Sequence, residues 1–189
     1  MNETRPLFIP VILGTTRKGR MSLHAARFIA AQLARREGVE TELIDILDLH
    51  MPVDDTGGQV KDERFAAAME RADAIVIVTP EYNHSFPGLL KHVLDSCLQE
   101  YIHKAAGVVG VSAGVFGGAR VIEHFQPVFR ELGLVPIFWD VNFGNVEKVF
   151  GRDGELLDDA YTRRTDKFLG ELIWMGKVLR YGREQVALS

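Results

Sequence analysis

Residues suited to holding an anion and a flat conjugated ring gather at three places in this chain. The first is Gly14-Thr15-Thr16-Arg17-Lys18-Gly19-Arg20-Met21-Ser22, with two glycines, three hydroxyls and three cations. Phosphate binding needs close backbone approach, free donors and a following helix N-terminus, and this stretch has the residues for all three. It lacks both the G-x-G-x-x-G and the G-x-x-x-x-G-K-[ST] spacings. Standing alone it would read as a solvated basic turn; its place after the first strand favours a phosphate cradle. The second is the polar loop from Thr79 to Lys91, where Tyr82 offers a flat face and Asn83 a donor and an acceptor. The third runs from Ser112 to Arg120, where Gly114, Gly117 and Gly118 fall within five residues and permit tight backbone approach.

No acid–base or nucleophilic unit accompanies these loops. Glu81, His84 and His92 have no partners at catalytic spacing, and no Ser-His-Asp or Cys-His arrangement is present. Asp54-Asp55 stands in a glycine-rich turn without a third ligand and reads as solvated, so no metal site and no catalytic side chain is expected.

The elements that must position the loops follow from apolar patterning. Leu7–Leu13 reads as a buried first strand with Pro10 as a local irregularity, because proline cannot donate to a ladder. Val39–Ile46 alternates as a strand nearer an edge; Ala74–Val78 and Ala106–Ser112 are buried runs; Leu134–Phe138 is a fifth strand. Between them, helical spacing predicts helices over Leu23–Glu37, Asp62–Arg71, Leu89–Leu98 and Ala119–Leu132, with a final helix from Glu155 to about Tyr181. Leu47–Gln59 reads as a surface loop and Asn142–Gly154 as turn-rich. Five β-α alternations imply a parallel α/β sheet with right-handed crossovers, and ligands of such sheets sit in loops at the carboxyl ends of strands.

The run PEYNHSFPGLLKHVLD (80–95) resembles the signature loop of the flavodoxin-like NAD(P)H-dependent FMN reductases. The first loop is similar to that family's G-S-T-R-x-x-R phosphate loop, with Thr15 for the commoner Ser, and Ser112–Gly118 to its S-x-G-x-x-G-G loop. The resemblance spans about Leu7 to the final helix and is loose beyond Val146. It implies a single flavodoxin-like domain over residues 1–189: a doubly wound, five-stranded parallel sheet, order 2-1-3-4-5, with helices on both faces. It implies bound FMN, with Thr15, Arg17, Arg20, Met21 and Ser22 at the phosphate, and Pro80, Glu81, Tyr82 and Asn83 along the ring. Ser112, Gly114, Gly117 and Gly118 would offer amides to the pyrimidine edge. The implied reaction takes hydride from NADPH or NADH and passes two electrons to a quinone, azo or nitro compound, metal oxyanion or free flavin. A homodimer or dimer of dimers is implied too.

The alternative is a flavodoxin-like carrier that binds FMN without NAD(P)H turnover; the cations of the first loop suit a phosphorylated pyridine nucleotide better. A phosphoacceptor receiver of the same topology is excluded, because it needs acids after strand one and an Asp after strand three. This chain has Gly14-Thr15-Thr16-Arg17 and Thr79-Pro80-Glu81 there. At 189 residues, 25% charged and 47% hydrophobic, the composition is that of a globular protein. The net charge of -4 does not favour nucleic acid or an anionic membrane as a partner. Cys97, the one cysteine, lies on a helical apolar face and reads as packing; with no secretory pattern and no bilayer-length apolar run, the cytoplasm is the expected compartment.

Overall fold

The computed structural model describes residues 5–52 and 61–187. Asp54 and Asp55, read above as a solvated turn, lie outside the described residues. β1 consists of Leu7–Phe8 and Val11–Leu13, β2 of Val39–Glu40 and Leu43–Asp45, and β5 of Val135–Pro136 and Val141–Phe143. β3 (Ala74–Pro80) and β4 (Ala105–Val111) are unbroken. All pairings are parallel and the strands lie in the order β2-β1-β3-β4-β5, the 2-1-3-4-5 arrangement expected from the resemblance.

The helices are α1 (Ser22–Ala34), α2 (Glu63–Arg71), α3 (Gly88–Asp95), α4 (Ala119–Leu132), the short α5 (Val146–Val149) and α6 (Ala160–Gln185). Strand periodicity divides the core into two layers. Leu7, Ile9, Val11, Leu13, Val76 and Val78 face α1 and α6, where Ile29, Leu33, Phe168 and Leu172 are buried. Phe8, Ile12, Ile75 and Ile77 face the other way, onto Phe65, Leu90, Val93, Phe125 and Phe129 of α2, α3 and α4.

The irregularity expected at Pro10 is present. β1 is interrupted at Ile9-Pro10, where Pro10 brings no N–H, and the Ile9 carbonyl accepts instead from the Thr41 hydroxyl at 2.7 Å. Strand five departs from its expected span. Its second half, Val141–Phe143, pairs with Val109–Val111 and runs into the stretch read as turn-rich, Asn142–Gly154. Between the halves, Phe138 and Trp139 turn outward while the Glu171 carboxylate accepts from both their amides, at 3.2 and 3.1 Å.

At the amino ends of the strands, Asp73 is fully buried. It accepts from the Arg5 guanidinium at 2.7 and 2.9 Å, from the Phe8 amide at 3.1 Å and from Arg183 at 3.1 Å, with Arg180 at 3.5 Å. Nearby, the half-exposed chemistry of a surface lysine is lost at Lys104. Its ammonium is buried and donates to the Met69 and Glu70 carbonyls at the end of α2, and burial pulls its pKa down to about 8.

Candidate active site

The carboxyl ends of β1, β3 and β4 bound a groove of about 460 Å³. It is lined by Thr15 and Arg17–Ser22 after β1, by Pro80–Tyr82 after β3, by Val111–Ala113 after β4, and by Val146 and Glu147 of α5. Beyond Tyr82 lies a second opening of similar volume, lined by Thr16, Asn83, Pro87 and Leu89 among others. The Tyr82 hydroxyl and the Thr15 hydroxyl, 3.0 Å apart, tie the loops after β1 and β3 together between the two openings.

The first loop is built for an anion. Among the described residues, none of the backbone N–H groups of Lys18 to Ser22 donates to a protein acceptor. They precede or open the 13-residue α1, whose first turn contains no acidic residue and whose start has no side-chain cap. Helix ends of this kind leave oriented donors and a positive potential for an external anion. The Ser22 hydroxyl and the Arg20 Nε are buried there without any hydrogen-bond partner. Buried polar groups are ordinarily satisfied, and these two, on residues that line the groove, still have a hydrogen to donate. Arg20 also forms an ion pair with Asp45 at the end of β2, so much of its charge is already balanced within the protein. Arg17 and Lys18 are exposed and enter no ion pair among the described residues.

The loop after β3 owes its shape to a tight turn. Tyr82 and Ser85 exchange backbone hydrogen bonds of 2.7 and 2.9 Å, and the two residues between them, Asn83 and His84, both have left-handed backbones (φ +48° and +69°). This is the pattern of a primed turn, in which non-glycine residues are strained. Asn83 and His84 are exposed at its tip. His92 has a structural partner, its Nε2 lying 2.7 Å from the Pro52 carbonyl. Pro87 stands one residue before α3 rather than within its first turn, with its carbonyl accepting from Lys91.

The loop after β4 is stitched to the end of strand five. Ser112 N–H donates to Phe143, Asn145 N–H to Gly114 and Val146 N–H to Ser112, at 2.9–3.1 Å. These bonds carry Val146 and Glu147 into the groove, two lining residues absent from the sequence-based set. Ser112 Oγ donates to the Gly114 carbonyl at 2.8 Å, so the hydroxyl is used within its own loop. Gly114 lines a smaller pocket beside the groove. Gly117 and Gly118 do not line the groove; they are buried in left-handed conformations (φ +59° and +81°) against β4 and Asn142. A Cβ on Gly117 would lie 2.7 Å from that of Asn142, and one on Gly110 only 2.4 Å from the Gly117 carbonyl oxygen. Their glycine character therefore serves close packing of loop on sheet.

Cys97 is buried, and burial pushes its thiol up to about 11, so it is protonated and unreactive at neutral pH. Among the described residues, no three His, Cys, Asp or Glu side chains gather closely enough to hold a metal ion, and no helix is long and apolar enough to cross a membrane.

An open parallel sheet that reverses direction of winding at β1 and β3, with an anion-ready loop at that point, has the form of the flavodoxin-like class. The chain belongs to the NADPH-dependent FMN reductase family, whose sequence model matches residues 8–148. It is 34% identical over 130 residues to an NAD(P)H-dependent FMN reductase of Pseudomonas aeruginosa, covering 65% of this chain and 70% of that one. It is 30% identical over 187 residues to a quinone reductase of Escherichia coli K12, covering 92% and 96%. Among solved structures it resembles FerB, a flavoenzyme NAD(P)H:(acceptor) oxidoreductase of Paracoccus denitrificans (TM-score 0.76, 23% identity, 91% and 98% covered). A flavodoxin of Pseudomonas aeruginosa shares the fold at a TM-score of 0.60, with 16% identity and 90% and 99% covered. The chain is thus an oxidoreductase of a family named for NADPH and FMN.

Proposed function

We propose that this protein binds FMN in the groove and catalyses NAD(P)H + H⁺ + quinone → NAD(P)⁺ + hydroquinone. The observation that carries the reading is the set of unpartnered donors at the start of α1, namely the Lys18–Ser22 amides, Ser22 Oγ and Arg20 Nε. They fit a dianionic phosphate, with exposed Arg17 closing over it and Thr15 at its flank. Bound FMN supplies the two-electron redox chemistry. Pro80–Tyr82 line the groove beside the ring position, and the Tyr82–Thr15 bond fixes the aromatic side chain there. Ala113, whose N–H has no acceptor among the described residues, would bring a backbone donor to the opposite rim and stabilise negative charge developing on reduction.

Lys18 supports NADPH over NADH as donor, because it is exposed beside the groove and, with Arg17 given to FMN, is the cation of this loop left to meet a further phosphate. The quinone as acceptor rests on the similarity to the Escherichia coli quinone reductase. A homodimer would complete the open side of the groove, and a chain whose lone thiol is buried suits the reducing cytoplasm.

The test is direct. The purified protein titrated with FMN should give a flavin absorbance that co-elutes with it, and the loaded protein should oxidise NADPH in the presence of a quinone. Failure to take up FMN refutes the reading, whereas uptake without turnover by any acceptor would identify an electron carrier.

A further inference from the structure

A pocket of about 360 Å³ opens between the interruption of β5 and α6, lined by Trp139, Asp140, Asn142, Arg164 and Lys167. None of the five lines the groove proposed for FMN. The volume falls within the ~300–1,000 Å³ usual for small-molecule sites.

The charged walls of this pocket are positioned without being paired. Arg164 and Lys167 are exposed and lie one turn apart on α6. Among the described residues, neither enters an ion pair or donates to an acceptor. Aromatic rings hold them instead. The Lys167 ammonium lies 3.3 Å from the ring centroid of Trp139, and the Arg164 guanidinium 4.9 Å from that of Tyr161. Tyr161 is itself fixed, being buried with its hydroxyl donating to the Asn142 carbonyl at 3.1 Å. The quadrupole of a ring orients a cation without neutralising it, so both charges remain available to an anion.

The opposite charge lines the same pocket. Asp140 forms no ion pair among the described residues; desolvation, then Glu123 and Glu171, push its pKa up to about 6, and no cation offsets the rise. Asn142 Nδ2 donates to the Gly117 carbonyl at 3.4 Å, which leaves its Oδ1 as a second acceptor. Acid and cations thus share a cavity without reaching one another, which is the arrangement for a molecule that bridges them. The walls carry the positive charges of Arg164 and Lys167 and the negative charge of Asp140. A ligand of the inverse pattern, with a carboxylate for each cation and an ammonium for the acid, would pair all of them.

We propose that this pocket binds a small acidic amino acid, of the size and charge of glutamate or aspartate. The carboxylates meet Arg164 and Lys167, and the ammonium meets Asp140 and Asn142 Oδ1. The planar guanidinium matches the paired oxygens of one carboxylate, which fixes that end of the ligand. Binding needs neither FMN nor NAD(P)H, because the pocket and the groove have no residue in common.

Trp139 is one of the two tryptophans, and Trp174 is exposed, so Trp174→Phe leaves the indole beneath Lys167 as the single reporter. That protein is titrated at pH 8, where Asp140 is ionised, and at constant ionic strength with L-glutamate, glutarate or 4-aminobutyrate. Calorimetry on the wild type repeats each titration. L-Glutamate should change the emission saturably and bind about threefold or more tightly than either analogue, the scale of exposed charge pairs. Asp140→Asn should abolish the preference over glutarate, which lacks the ammonium, and keep that over 4-aminobutyrate, which lacks one carboxylate. Arg164→Gln should do the reverse. Absence of saturable L-glutamate binding by both methods overturns the proposal, and so does glutarate binding as tightly as L-glutamate, which would mark a plain anion site. Preferences that survive both substitutions overturn it as well. The ligand comparison with every pocket side chain intact stands even where a variant fails to fold.

Discussion

Replacing Ser22 by alanine should stabilise the protein without flavin and weaken its hold on FMN, two effects of opposite sign from one atom. Ser22 is 3% exposed and its hydroxyl has no partner. Burying an unsatisfied hydroxyl costs about 1–3 kcal/mol, so its removal should raise the melting temperature of the flavin-free protein by about 2–12 °C at this chain length. With FMN bound, the hydroxyl would donate to a phosphate oxygen. Loss of that charge-assisted bond, at about 1.5–3 kcal/mol, should weaken FMN roughly tenfold to 150-fold. Thermal melts with and without FMN, together with a fluorescence titration, measure both effects. A variant that melts lower when flavin-free, or that binds FMN as tightly as wild type, would refute the assignment of Ser22 as a donor held for an external anion. The expected trade is the usual one at binding sites, where polar groups stay unsatisfied until the ligand arrives.

Arg17→Ala should lower FMN affinity about tenfold or more through a lost charge-assisted bond, and an unchanged titration would remove Arg17 from the site. Asp73→Asn should destabilise the fold by about 3–5 kcal/mol, a fall in melting temperature of about 6–20 °C, because it strips the anion from a buried cluster with Arg5, Arg180 and Arg183. Denaturant midpoints test this, and FMN affinity should be preserved, since Asp73 lies at the strand ends opposite the groove. Asp140, beside the interruption of β5, has its pKa raised to about 6 by desolvation, then by Glu123 and Glu171. A carboxyl held protonated in the folded state contributes stability fully below its ordinary pKa near 3.8 and loses it as pH rises through about 6. The difference in melting temperature, Asp140→Asn minus wild type, should therefore grow between pH 4 and pH 7; a flat difference would refute it.

Much of this architecture could be read before any coordinates. The β-branched run Ala74–Val78 and the apolar Ala106–Val111 announce central strands, and the three loops that follow β1, β3 and β4 do converge on one groove. What escaped was set by tertiary contact. Asn142 and Phe143 carry a turn signal because Gly144-Asn145 follows them, and pairing with β4 overrides that local signal. Val146 and Glu147 reach the groove only through backbone bonds from Ser112 and Gly114, which no spacing encodes. The pairing of Arg20 with Asp45 joins residues 25 positions apart, and the same contact halves the positive charge expected at the phosphate. The glycine pair Gly117-Gly118 signals close backbone approach without naming what approaches, and in the fold the backbone against it is that of β4 and the Asn142–Gly144 segment.

The continuity of β3 and β4 beside the interrupted β1, β2 and β5 divides the sheet mechanically. Amide protons of Ala74–Pro80 and Ala105–Val111 should be the last to exchange with solvent, and those around Ile9–Val11 should exchange earlier, because local opening begins where ladders are broken. The two loops proposed to flank the flavin ring thus follow the unbroken strands, while the turn proposed to hold its phosphate follows a strand whose ladder is interrupted. Release of a bound nucleotide would then begin at its tail, with the redox-active end still seated.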